Sequence, residues 1–199
     1  ITYGDWSSDV CSSDLTITDT DTLSMSVSSE TVAEGDTASF TVELKDADGN
    51  LVSLDESANR VIDLSLFAGT KGYTAEPGDY SDMTVLWTDK DGGTHTESLG
   101  KSNQSFELGD GVSSFTVQVQ AIADKFQEGT ETFSLEASFD ESRRANPFTG
   151  TGTITDTNTL SMSVSSETVA EGDTASFTVE LKDADGNLVS LDEIGRAHV

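Results

Sequence analysis

Apolar residues recur at every second position along most of this chain. Leu23, Met25 and Val27 alternate with serine. Phe40, Val42 and Leu44 alternate with Thr41 and Glu43. Ile62, Leu64 and Leu66 form a third set, and Met83, Val85 and Trp87 a fourth. Phe115, Val117 and Val119 follow, then Phe133, Leu135 and Ala137, and "TGTITD" closes the pattern at Asp156. A period of two puts one face of an extended strand against a core and the other against solvent. The turns between the sets are rich in Asp and Gly: "DADGN" at 46–50, "DKDGG" at 89–93 and "LGDG" at 108–111. Pro77 and Pro147 both fall in loops, and no stretch of helical period exceeds about two turns. Seven or more such strands predict an antiparallel β-sandwich. Its core is expected to hold the alternating residues, Trp87 included.

The pattern begins again before the chain ends. Residues 16–56 and 153–193 match at 40 of 41 positions with an offset of 137 residues, the exception being Asp21 against Asn158. Internal repetition at this level marks an array of similar units. The match stops at Thr16 and Glu193, and the text outside it is unlike the rest. Asp5 to Leu15, "DWSSDVCSSDL", holds the chain's single cysteine in a run with no apolar period. Both this run and Ile194 to Val199 resemble the translation of sequencing-adapter DNA. The expected organisation is therefore an adapter-derived 1–15, a linker or repeat end at 16–22, a complete domain at 23–158, a truncated copy at 159–193 and an adapter-derived 194–199. Half a sandwich cannot close a core, so Leu160, Met162, Val164, Phe177, Val179 and Leu181 are expected to stay exposed.

Charge narrows the partners. The chain carries 37 acidic and 10 basic residues, a formal net charge of −27. That balance repels nucleic acid and anionic lipid and suits a cation. No cysteine lies in 16–193, so disulfides do not staple the domain. No apolar run reaches the roughly 18 residues of a membrane-spanning helix.

Carboxylates cluster at strand ends. "TVAEGDTASFTVEL" places Glu34 and Asp36 just before a strand, and "EPGDY" places Asp79 in a loop. "AIADKFQEGTETFSLE" is read as one strand ending at Ile122, a loop carrying Asp124, Glu128 and Glu131, and the next strand starting at Phe133. In an antiparallel sandwich, loops from alternate strands converge on one tip. Carboxylates gathered there repel, and a hard dication with 6–8 oxygen ligands removes the penalty. With no His or Cys nearby, calcium fits such a donor set best. The plain alternative is a solvated acidic tip that serves solubility.

Taken in order, "VAEGDTASFTVEL", "GDY", "DKFQEGTETFSL" and "GTITD" resemble a Calx-beta domain, over about Leu23 to Asn158. The resemblance implies an all-β, immunoglobulin-like sandwich that binds calcium. It places Glu34, Asp79, Asp124, Glu128, Glu131 and Asp156 at the ligand positions, with Ca2+ as the cofactor. This chain departs from the family's calcium-rich members, which have Asp runs where Ala123, Lys125, Thr157 and Asn158 stand here. The implied site is poorer, holding one or two ions. The period is also longer than usual, with the extra length expected between Asp55 and Ser105.

Other signals read as structural. "DADGN" looks like the start of an EF-hand loop, but its glycine is at the fourth position and Ser57 stands where the closing Glu belongs. It reads as a hairpin turn. His95 stands alone in a polar hairpin. No serine has a His partner with an orienting acid, and no phosphate loop is present, so no enzyme is expected. The function this predicts is a calcium-stiffened spacer repeat of a large, extracellular bacterial cell-surface adhesin, its partners being calcium ions and neighbouring repeats. The alternatives are a calcium-sensing domain of a membrane transporter and an accessory domain of a secreted hydrolase.

Overall fold

A computed structural model describes residues 23–54, 61–70, 72–124, 127–139 and 147–189. The two terminal stretches, residues 16–22 and 190–193, Asp55 and Lys125 lie outside the described residues.

Twelve strands are described and no helix. They are β1 (Ser24–Val27), β2 (Glu30–Ala33), β3 (Thr37–Lys45), β4 (Val61–Phe67), β5 (Tyr80–Thr88), β6 (Thr94–Leu99), β7 (Gln104–Glu107), β8 (Ser114–Ala121), β9 (Glu131–Ser138), β10 (Phe148–Thr155), β11 (Ser161–Val164) and β12 (Val179–Lys182). One sheet runs β1-β3-β8-β5-β6 and the other β2-β10-β9-β4-β7; β11 and β12 form a separate pair. Ring contacts join the two larger sheets. Phe40 of β3 meets Phe133 of β9 edge-on at 5.8 Å, and Tyr80 of β5 stacks on Phe133 at 5.1 Å. The result is the all-β sandwich that the alternation predicts.

The strand phase is set by burial. Phe40, Val42, Leu44, Ile62, Met83, Val85, Val117, Leu135 and Ala137 have no exposed surface. Each large apolar side chain so buried contributes about 1.5–3 kcal/mol. At the margins the structure differs from the alternation. Met25 is buried, but Leu23 and Val27 are half-buried, because β1 is a short edge strand with a neighbour on one side only. Trp87 is also half-buried, packed on Phe106 near the outer end of β5.

Three strands carry no alternating signal: β2, β6 and β7. All lie at sheet edges, where little of a strand is buried. The edge strand β2 also breaks the antiparallel rule, since it pairs in parallel with β10 from Glu30 beside Gly152 to Ala33 beside Thr155. The chain crosses from one sheet to the other at Ser28 and Ser29, between β1 and β2. Glycine permits the close approach there. A Cβ at 150 would overlap the Ser28 carbonyl oxygen, and one at 152 would overlap the Phe133 ring.

The second copy keeps only its local pairing. β11 pairs with β12 from Ser161 beside Lys182 to Val164 beside Val179, the register of β1 on β3 shifted by one repeat. The turns agree as well. Asp46 Oδ1 accepts the N–H groups of Asp48 and Asn50, and Asp183 Oδ1 accepts those of Asp185 and Asn187. Gly49 and Gly186 have φ of 83° and 81°, so "DADGN" is a turn whose glycine must take left-handed backbone. Glu167–Ala170, the counterpart of β2, is not a strand. Met162, Val164, Phe177 and Val179 are exposed and Leu160 and Leu181 half-exposed, as expected for half a core.

Candidate metal centre

Five chain segments meet at one tip of the sandwich: the ends of β2, β8 and β10 and the starts of β5 and β9. Backbone bonds lock them. Glu34 N–H donates to the Thr155 carbonyl at 3.1 Å, Gly35 N–H to Ala121 at 3.0 Å and Ile122 N–H to Asp79 at 2.8 Å. Each segment therefore delivers a carboxylate to the same place because its strand begins or ends there.

The carboxylates form two overlapping groups. Ligand oxygens of Glu34, Asp124 and Glu128 lie within 4.8 Å of one another, and so do those of Asp79, Glu128 and Glu131. Glu128 belongs to both. Asp156 is at the same tip but in neither group. Its Oδ2 accepts the N–H of Glu128 at 2.6 Å and of Gly129 at 3.1 Å, and its Oδ1 accepts the N–H of Asn158 at 2.6 Å. Its role here is to hold the loop that presents Glu128.

Two strand limits differ from those expected. β8 stops at Ala121, and β9 starts at Glu131 rather than Phe133. Glu131 is consequently a strand residue and only 5% exposed. The apolar alternation misses this because Glu131 shares its face of β9 with Phe133 and Leu135, at the point where the core gives way to the tip.

The crowding has an electrostatic signature. Burial, followed by the charges of Asp156, Asp124, Glu128 and Asp79, pushes the Glu34 carboxyl up to about 7. Burial, the hydrogen bond with Asp79, and the charges of Asp79, Glu128 and Glu34 push Glu131 up to about 8. Two carboxyls can share a hydrogen bond only if one carries a proton. The fold thus gathers these groups at a cost that either protons or a cation can relieve.

The donor set is entirely oxygen, from loops as well as strands, which suits a hard cation of variable geometry. Asn158 is the residue the carboxylate pattern overlooks. Its Nδ2 donates to Glu34 Oε2 at 2.9 Å and to the Asp124 carbonyl at 3.1 Å. The signal was present in the repeat, since Asn158 is the single position at which the copies differ, standing where the other has Asp21.

His95 does not stand alone. Its Nε2 lies 2.7 Å from Asp89 Oδ2, and its ring stacks on Trp87 at 5.3 Å. The hydrogen bond from His95, with those from Gly93 and Asp91, holds the Asp89 carboxyl below its usual range. This trio sits at the β5–β6 hairpin, on the sheet edge, and pins the turn.

No family model matches the chain, and no curated protein matches it. Solved structures give low-scoring likenesses. Domains 1–6 of the surface layer protein SbsC align over 88% of this chain and 18% of that one, with 17% identity and a TM-score of 0.37. SbsC domains 4 and 5 align over 68% and 53%, with 16% identity and a TM-score of 0.33. A family 123 glycoside hydrolase from Clostridium perfringens aligns over 68% and 27%, with 14% identity and a TM-score of 0.36. The chain spans about a fifth to a half of these proteins, and at such scores the likeness carries no argument about activity, partners or location.

Proposed function

We propose that this chain is a Calx-beta-like structural module that binds calcium at its acidic tip and serves as a spacer repeat in a large secreted or cell-surface adhesin of a bacterium. The observation that carries the reading is the double carboxylate group centred on Glu128. Five segments bring Glu34, Asp79, Asp124, Glu128 and Glu131 together although repulsion opposes it. Solubility needs dispersed surface charge and does not need two of these carboxyls pressed up toward neutral pKa.

When bound, a calcium ion would supply the positive charge that lets all of these groups ionise together. Glu34, Asp124 and Glu128 would hold one ion; Asp79 and Glu131, sharing Glu128, would complete a second. Asp156 would position the Glu128 loop through the N–H groups it already accepts. Because the tip ties β2, β5, β8, β9 and β10, a cation there would stiffen the end at which the chain leaves the domain. The near-identity of the two copies favours a repeated spacer over a single sensor or an enzyme's accessory domain.

The test is a thermal melt of the 199-residue chain in EDTA, in calcium and in magnesium. A ligand that binds only the folded state adds RT ln(1 + [L]/Kd), and extracellular modules bind calcium at roughly 10⁻⁴–10⁻³ M. The expected gain at millimolar calcium is about 1 kcal/mol, with less from magnesium, which demands tighter octahedral geometry. Glu128→Gln should abolish most of it. An equal response to both ions, or a full response in Glu128→Gln, would overturn the assignment.

A further inference from the structure

Residues 160–189 repeat 23–52 and reproduce its local structure without its seat. The Ser165 N–H donates to Thr178, and the Thr178 N–H to Ser165 Oγ, as Ser28 and Thr41 do in the first copy. The apolar side chains fare differently. Met25, Phe40 and Val42 are 5%, 0% and 0% exposed, whereas Met162, Phe177 and Val179 are 68%, 61% and 57% exposed. What would cover them is recorded in the twin. β3 pairs along its whole length with β8, from Thr37 beside Gln120 to Glu43 beside Ser114, and β2 pairs with β10. Among the described residues β12 pairs with β11 alone.

That seat exists once per molecule, and the molecule's own β1–β3 fills it. The second copy cannot reach it from within. Ala33 is level with Thr155 at the tip, and β1 and β2 both advance toward that tip. Leu23, about ten residues earlier, therefore lies about 30 Å away at roughly 3.3 Å per residue. The five residues from Thr155 to Leu160 span at most about 18 Å. A neighbouring molecule has no such restriction.

We propose that residues 160–189 are an interchangeable β1–β3 half that seats on the β4–β10 body of a second copy of this chain when that copy's own half is displaced. The occupant follows from sequence identity and register: the face that fits Phe40 against Phe133 fits Phe177. In the unaltered chain the exchange gains no contact, and the tethered half wins by its effective concentration, of millimolar order. Exchange becomes visible when protein is concentrated toward that range or when the tethered half is disabled. The contact is head-to-tail, so it builds rings or open filaments.

The experiment uses three full-length variants, Phe40→Asp, Phe177→Asp and the double, with light scattering after gel filtration and thermal melts followed by circular dichroism. Phe177→Asp should be a monomer melting like the parent. Phe40→Asp should fold cooperatively as a dimer or larger assembly that dissociates on dilution. The double variant should show neither a cooperative melt nor a defined assembly. A Phe40→Asp chain that folds as a monomer, or that does not fold while Phe177→Asp does, would overturn the proposal. So would a double variant that assembles like Phe40→Asp.

Discussion

Replacing Glu131 with glutamine should stabilise the metal-free fold at alkaline pH, although it removes a candidate ligand. The folded state holds the Glu34 and Glu131 protons more tightly than the unfolded chain, with carboxyls raised from 4.5 to about 7 and about 8. For carboxyls raised on folding, stability is fully present below about pH 4.5 and is lost as pH rises through the folded values. Each tenfold change in proton affinity corresponds to about 1.4 kcal/mol. Glu34 is partly exposed, so solvent screening cuts its share to about 1 kcal/mol. Glu131 is buried but divides its proton with Asp79, which leaves it about 2 kcal/mol. The metal-free parent should therefore lose about 3 kcal/mol between pH 4.5 and 8.5, or roughly 10 °C of melting temperature for a domain of this size. Glutamine imitates the protonated carboxyl at every pH. In EDTA at pH 8.5 the Glu131→Gln chain should be about 2 kcal/mol more stable than the parent, and at pH 4.5 about equal. The assay is urea denaturation in EDTA at half-unit steps of pH. The net charge of −27 also changes with pH, but it changes alike in both proteins, so the difference between them isolates Glu131. A difference that stays constant from pH 4.5 to 8.5, or a variant less stable than the parent at pH 8.5, would refute the reasoning.

The twin phenylalanines offer a controlled comparison. Phe40→Ala should cost about 3–5 kcal/mol in urea and Phe177→Ala less than about 0.5, because one is fully buried and the other 61% exposed. Gly152→Ala should cost about 1–3 kcal/mol, since its methyl meets the Phe133 ring, which Tyr80 and Phe40 hold in place. Asp156→Ala should lower the calcium-induced rise in melting temperature at least as much as Glu128→Gln, because it frees the loop that carries Glu128. Isothermal titration with calcium would check that ordering.

The core was legible because a buried strand face leaves a period of two in the chain. Phe40, Val42 and Leu44 announced β3, and Phe115, Val117 and Val119 announced β8. The edge strands β6 and β7 left no such trace, as residues such as Thr94, His95 and Thr96 face water on an outermost strand. The parallel seat of β2 on β10 was hidden for another reason: pairing direction depends on the crossover at Ser28 and Ser29, not on any side-chain pattern. At the tip, carboxylates at strand ends were enough to nominate Glu34, Asp79, Asp124, Glu128 and Glu131. The alternation could not distinguish Asp156, which spends its oxygens on backbone N–H groups, from the five that gather. Nor could it foresee Asn158 as a donor, since an amide beside carboxylates is recognised by geometry rather than by spacing.

The parallel ladder between β2 and β10 has a mechanical consequence. The chain enters the sandwich at Leu23, at one end, and leaves after Thr155 at the other. Tension on these ends pulls the first strands one way and the last strand the opposite way, along their own axes. The hydrogen bonds of β1 on β3, β2 on β10 and β10 on β9 then share the load in shear and must yield together. Strands pulled apart from one end would instead lose their bonds singly. The carboxylate tip lies at the exit point of β10, so a cation bound there would clamp the place where the force leaves the domain.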